Sequence, residues 1–135
     1  MIPGSKSVSK WLLVLSAAIL ATGGSIHGLA YPKASTVAGH STLPPFFQGA
    51  LKGLWLSDSL SSLTIALTLA CIAANPRLAA TPLVLLLALM PLATAVVLFL
   101  TMGNFFAGYL MLIAAAAALL GAVMRPSTPH RETGL

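Results

Sequence analysis

Long apolar stretches without charged residues constrain this chain more than any other feature of its sequence. Residues 81–102 and 104–124 contain no Asp, Glu, Lys or Arg, and neither do the 21 residues of 11–31. A helix rises 1.5 Å per residue, so 21 residues extend about 30 Å, the thickness of the hydrocarbon core of a bilayer. Only 7% of the chain is charged, against about 25% in soluble domains. These stretches therefore predict membrane-spanning helices.

A fourth helix is predicted at residues 49–74, and it is the least apolar of the four because it contains Lys52, Asp58 and several Ser and Thr residues. Pro32 is expected to end the first helix. Residues 33–48, rich in Ser, Thr, Gly and Pro, then predict a surface loop.

The predicted architecture is an all-α integral membrane bundle of four antiparallel transmembrane helices, forming a single domain over residues 1–135. The helices are expected at about residues 11–31, 49–74, 81–102 and 104–124, with short polar tails at both ends. Asn75-Pro76-Arg77 is typical of a tight turn, and Gly103 is the expected hinge of the last one. Pro91 removes one backbone hydrogen bond from the third helix and predicts a kink there.

The basic residues predict the orientation of the bundle. Five lie on one side, namely Lys6, Lys10, Arg77, Arg125 and Arg131, and two lie on the other, Lys33 and Lys52. Because Lys and Arg are enriched in cytoplasmic segments, we expect both termini in the cytoplasm and the chain in the plasma or inner membrane. Basic residues near helix ends also argue against nucleic-acid binding, which needs a basic soluble face.

A competing hypothesis concerns the first apolar stretch. Two lysines, an apolar run and the sequence Gly28-Leu29-Ala30, with small residues on either side of Leu29, are similar to a secretory signal peptide with its cleavage site. Cleavage after Ala30 would leave three helices. The length of the stretch favours the transmembrane alternative.

Asp58 is the only acidic residue within the predicted spans. A charged side chain at the bilayer centre costs about 2.5–3.5 kcal/mol on insertion scales, so we expect it to point into the bundle. At helical spacing it shares one face with Trp55, Ser61 and Ser62. Two interpretations remain open: a binding or proton-exchange site, and a structural hydrogen-bonding anchor.

His27 lies near the end of the first predicted helix, on a stripe with Gly23 and Gly24. Glycines let another helix come close, so His27 is expected near Asp58. The alternative is a histidine at the headgroup boundary, hydrogen-bonded to water. No cofactor is predicted, because a haem would need a second histidine within the spans, and the sequence shows no cluster of metal ligands.

Other polar residues are expected at the same membrane face as His27 and Asp58. They are Lys52, which we expect to extend to the interface, together with Asn104 and Tyr109. On the last helix, a face of small residues predicts tight contact with another helix, within the bundle or in a second copy. This face comprises Gly108, Ala115, Ala118 and Ala122.

Two short strings support a family resemblance. They are Ser25-Ile26-His27-Gly28, late in the first predicted helix, and Lys52-Gly53-Leu54-Trp55, early in the second. With its four-helix layout, the chain resembles the DoxX-like type of small, largely uncharacterised bacterial membrane proteins. The resemblance implies the fold in outline and brings no catalytic residues with it.

The leading functional hypothesis is a non-enzymatic membrane protein: a subunit, an accessory protein or a binder of a small lipophilic molecule. Its expected partners are the lipid bilayer and, in addition, other membrane subunits or a second copy. One alternative is a membrane-embedded enzyme, for example an isomerase, with Asp58 and His27 as acid and base; both side chains would then converge on a pocket. Another is a proton-coupled transporter, which would need an oligomer because four short helices enclose little space.

Overall fold

The computed structural model describes residues 5–125, which are almost entirely helical and contain no strand. Five α-helices follow one another: α1 (Ser5–Leu29), α2 (Tyr31–Gly39), α3 (Pro45–Ala74), α4 (Thr81–Met102) and α5 (Phe106–Val123). All except α2 are long and apolar enough to cross a membrane. The all-α prediction is confirmed, and the chain is a multi-pass membrane protein. Much of the predicted polar tails, with Arg131, lies outside the described residues.

The four long helices pack in the order α3, α1, α5, α4, so that α1 and α5 each lie between two long neighbours. Helix α1 packs against α3 on one side and against α5 on the other, and α5 in turn packs against α4. Helix α4 barely touches α3, so a cleft separates these two outer helices. The order is antiparallel: Ser9, early in α1, donates a hydrogen bond to the Gly121 carbonyl near the end of α5 at 2.6 Å.

Small residues produce the tightest contacts of the fold. The predicted small-residue face of α5 is buried, with Ala115, Ala118 and Ala122 fully inaccessible. An added Cβ on Gly108 would lie 2.9 Å from the Phe99 ring, and one on Gly121 would lie 3.0 Å from Leu13. The prediction that this face contacts other helices and not lipid is confirmed.

The prediction of a loop at residues 33–48 was wrong over its first half, where the chain forms α2. Pro32 does not simply end α1; it occupies the first turn of α2, where its missing N–H is not needed for hydrogen bonding. Pro45 starts α3 in the same way, four residues before the predicted boundary. Prolines in this region therefore begin helices.

The remaining helix ends follow the sequence more closely. Helix α4 has the predicted bounds and continues through the buried Pro91, and Gly103 is the turn residue, with a φ of 67°. Helix α1 begins six residues earlier than predicted, and α5 begins at Phe106, two residues later. At the opposite end, Arg125 donates hydrogen bonds to the carbonyls of Pro76 and of Ala79, the latter at 2.7 Å. This contact ties the α3–α4 turn to the end of α5.

Candidate functional site

Trp55 joins α3 to the end of α1 by two contacts. Its ring stacks on the imidazole of His27, with centroids 4.1 Å apart and planes 9° from parallel. Its indole Nε1–H donates a hydrogen bond to the His27 carbonyl oxygen at 2.7 Å. That carbonyl lies in the last turn of α1, where carbonyls lack partners within the helix. Trp55 therefore caps the end of α1 and at the same time orients the His27 ring.

Gly24 allows the close approach that this arrangement needs. A Cβ at Gly24 would lie 3.0 Å from the Cβ of Ser62 and 3.1 Å from the carbonyl oxygen of Ser59. Ser59 is buried and donates to the Trp55 carbonyl at 3.1 Å, so its hydroxyl is satisfied inside α3. The backbones of α1 and α3 are thus nearly in contact one turn below His27.

His27 and Asp58 form the pair that the glycine stripe suggested. Asp58 Oδ2 lies 3.6 Å from His27 Nε2, an ion-pair distance when the imidazole is protonated. Asp58 lines a small cleft with residues of the other long helices, among them Leu20 of α1, Pro91 of α4 and Met111 of α5, and 51% of its side chain is exposed. Helix α3 packs mainly on α1 and only weakly on α4, which leaves part of its side towards α4 open.

Ser61 and Ser62 lie beside Asp58 at this open side. Together with Pro91 and Thr94 of α4, they help to line a cleft of about 20 Å³. Such a volume holds roughly one water molecule. The cleft can therefore hydrate Asp58, but it is too small for an organic substrate.

A much larger groove lies between α2 and the first half of α3. Its volume is about 470 Å³, within the range of about 300–1,000 Å³ typical of small-molecule sites. Apolar side chains such as Val37, Leu43 and Leu51 form most of its wall, and Trp55 lines it as well. The polar lining includes two lysines, Lys33 from α2 and Lys52 from α3.

Lys52 crosses this groove towards α2. The side chain is half-buried, and a Cβ added to Gly39 would lie 3.6 Å from its Nζ. Sequence reasoning placed Lys52 at the interface but missed the wall it faces, because α2 was predicted as a loop. The spacing of Tyr31, Ala34 and Ala38, together with a proline at the first turn, is a helical signal that could have revealed it.

Asn104 and Tyr109 lie apart from these residues, at the turn between α4 and α5. The Tyr109 hydroxyl donates to Asn104 Oδ1 at 2.5 Å, and its ring meets Phe99 edge-on with centroids 5.0 Å apart. Neither residue lines the groove or the small cleft. They form a local pair that closes the α4–α5 hairpin.

The geometry required for an acid–base enzyme is only partly present. Neither His27 nor Asp58 lines the groove, and only Asp58 lines the small cleft, so the two side chains do not converge on either space. Residues 5–125 hold no group of three or more His, Cys, Asp or Glu side chains that could bind a metal ion. The groove is therefore the stronger candidate for a ligand site.

A second depression, of about 520 Å³, runs along α1 and the second half of α3. Alanines form most of its lining, and Lys10 lies at one end. Small residues on an exposed helix face are typical of sites where membrane helices associate. This surface is consistent with the subunit hypothesis, although nothing in the structure shows what covers it.

The chain was also compared with known proteins. No family model, no curated protein and no solved structure matches it. The DoxX-like resemblance therefore stays a prediction. Inference about function rests on the groove and the residues around it.

Proposed function

We propose that this multi-pass membrane protein binds a small lipophilic molecule in the groove between α2 and α3. The groove itself carries the proposal: it has the volume of a ligand site, a largely apolar wall and an aromatic side chain, Trp55. Sites of this composition bind ligands mainly through apolar contact, with a few polar groups for orientation. The protein then acts as a non-enzymatic binder, alone or as an accessory subunit.

The lengths of the helices support a location of the groove at the membrane boundary. Helix α3 has 30 residues, about 45 Å at 1.5 Å per residue, whereas the hydrocarbon core is about 30 Å thick. Helix α5, with 18 residues, spans only about 27 Å. The first turns of α3 then extend past the core, and α2 packs against this extension. A ligand could enter the groove from the bilayer and keep a polar end in water.

The distribution of basic residues supports an external position for the groove. Lys10, Arg77 and Arg125 lie at the end of the bundle opposite to α2. Under the positive-inside rule, that end faces the cytoplasm, with both termini, and the groove opens on the outer face of the plasma or inner membrane. Ligands would then be collected from the outer leaflet.

Trp55 gives a direct optical test, because the chain has only two tryptophans. In a Trp11→Phe variant, all tryptophan fluorescence comes from Trp55. We expect a brominated single-chain amphiphile to quench this fluorescence with saturation, since bromine atoms in the groove would contact the indole. The matched control is Trp55→Phe, in which Trp11 reports from an exposed position at the other end of α1.

The result that would overturn the proposal is quenching that rises without saturation and equally for both tryptophans, as expected for probe dissolved in the surrounding detergent. A substitution that fills the groove gives a second check of ligand binding there. Ala38→Phe places a ring into the groove wall and should abolish the saturable component. Ala116→Phe, on the exposed side of α5, should leave it unchanged.

A further inference from the structure

We infer that the ligand of the groove is a single-chain lipid with an anionic head group, held between Lys33 and Lys52. This inference rests on the proposed function, since it names the chemical class of the molecule that the groove binds. The apolar wall and Trp55 would contact the chain, and the two ammonium groups would bind the head group.

The positive charge of the groove is the first observation that supports an anionic ligand. Lys33 and Lys52 line it from opposite sides. Within residues 5–125 neither lysine forms a hydrogen bond from its side chain or an ion pair, and Asp58, the one acidic residue there, is paired with His27. Two positive charges thus face one apolar space without a counter-charge. An anion bound between them would reduce their mutual repulsion and complement the potential of the site.

The position of Lys52 is the second observation that supports an anionic ligand. A lysine at a helix surface normally directs its ammonium into water, but Lys52 is half-buried and its Nζ lies close to Gly39 at the end of α2. Gly39 has no side chain to cover the ammonium. Lys52 therefore extends from α3 towards α2, where its ammonium can meet a head group bound in the groove.

The size of the groove supports a ligand with a single hydrocarbon chain. Its volume of about 470 Å³ suits one hydrocarbon chain of moderate length. A two-chain phospholipid is considerably larger and would leave one chain outside. The lysines are also point-like donors that accept several anion geometries, so carboxylate and phosphate head groups share the required chemistry.

The test compares probes that differ only in their head groups. Dodecanoate, dodecyl phosphate, dodecanol and dodecyltrimethylammonium would each compete with the brominated probe for Trp55 in the Trp11→Phe protein. We expect both anions to bind about tenfold more tightly than dodecanol, since hydrogen bonds to a charged group contribute enough for that ratio. Their advantage should shrink as salt is added.

Lysine variants assign the effect to the groove. Lys52→Gln should weaken the binding of dodecanoate about tenfold and leave the binding of dodecanol unchanged. Lys33→Gln should also weaken dodecanoate binding, but by less, because Lys33 is exposed. Arg77→Gln, in the turn at the other end, is the matched control. Lys52→Arg keeps the charge and should retain dodecanoate binding, which separates loss of charge from misfolding.

The outcomes separate this inference from the proposed function. If dodecanol and dodecanoate bind equally well and quenching is saturable, the assignment of an anionic head group is overturned. The groove then remains a binding site. Tighter binding of the trimethylammonium probe would overturn that assignment too. A two-chain anionic phospholipid that competes as well as dodecanoate would overturn the single-chain assignment. Saturation by none of the probes would overturn the proposed function itself.

Discussion

Helix α1 makes two interfaces of opposite character. Towards α5, the helices are close together: a Cβ added to Gly121 would lie 3.0 Å from Leu13, and Ser9 donates a hydrogen bond to the Gly121 carbonyl. Towards the first half of α3, the contact narrows at Gly24 and then widens around His27 and Trp55. Small side chains bring helix backbones together, whereas large aromatic and polar side chains keep them apart. The groove lies on the second side.

The burial of the two flanking helices shows the same difference. Eight of the 18 residues of α5 are buried, spread over its whole length. In α3 only five of 30 are buried, and Ser59 is the sole one before residue 66. The first half of α3 is therefore the less buried part of this helix. Ligand-binding segments commonly come from such weakly held parts of a fold.

The largest effect is expected from overpacking the closed interface. Ala118→Leu adds three carbon atoms where no space exists, and such insertions cost about 1–3 kcal/mol. We expect the upper part of this range because the face is buried along its full length. The free energy of unfolding in detergent micelles is the measurement. Ala116→Leu, on the exposed side of the same helix, is the control, and equal losses in both variants would contradict a closed α5 interface.

The next effect concerns the link between the α3–α4 turn and α5. Arg125→Gln removes the donor to the carbonyls of Pro76 and Ala79. Hydrogen bonds to charged groups contribute about 1.5–3 kcal/mol, and the lower value is expected at this partly exposed site. Arg77→Gln should have almost no effect, because the Arg77 side chain is exposed. Identical melting of the wild type and Arg125→Gln would contradict the link.

A smaller effect is expected on the open side. Trp55→Phe keeps an aromatic ring but removes the hydrogen bond to the His27 carbonyl, which should cost about 1 kcal/mol. Trp11→Phe alters an exposed ring and should cost less. The comparison is made on the free energy of unfolding under identical conditions. If Trp55→Phe were as stable as Trp11→Phe, the cap on α1 would not contribute to the interface.

The fold was largely predictable because span length, absence of charge and turn residues are local properties of the chain. The bounds of α4, the Gly103 turn and the small-residue face of α5 all follow from such signals. Helix α2 differs from the prediction because Pro32 begins a helix and does not end one. Local composition cannot distinguish these two roles of proline without the packing partner.

The site was only partly predictable for a different reason. Helical spacing placed His27 and Asp58 on faces that can meet, and they lie 3.6 Å apart. Spacing within a helix does not reveal which neighbour covers it, so it cannot predict the exposed fraction of Asp58. Asn104 is predicted at the same depth as these residues, yet within residues 5–125 its side chain bonds to Tyr109 and not to them. Depth along a bundle gives no information about position around it.

The smallest stability effect is expected at Asp58. It tests whether the open side of α3 contributes as little to stability as its low burial indicates. Asp58→Asn keeps the size of the side chain and removes its charge. The Asp58 and His27 side chains are 51% and 33% exposed, and the cleft beside Asp58 can hold water. Because water screens such a pair, it should contribute at most about 1 kcal/mol. The coupling energy is measured by a double-mutant cycle with His27→Gln.

The same Asp58→Asn variant tests whether the charge of Asp58 affects ligand binding in the groove. Asp58 does not line the groove, so the affinity of the Trp11→Phe background for dodecanoate should change by less than about twofold if Asp58 only steadies His27. Asp58→Leu should behave similarly, because within residues 5–125 no hydroxyl donates to the carboxylate. A loss of binding with folding intact would show that the charge of Asp58 acts through His27 and the Trp55 ring. In that case the two sides of α3 would form one functional unit, with the ion pair on one face and the ligand on the other.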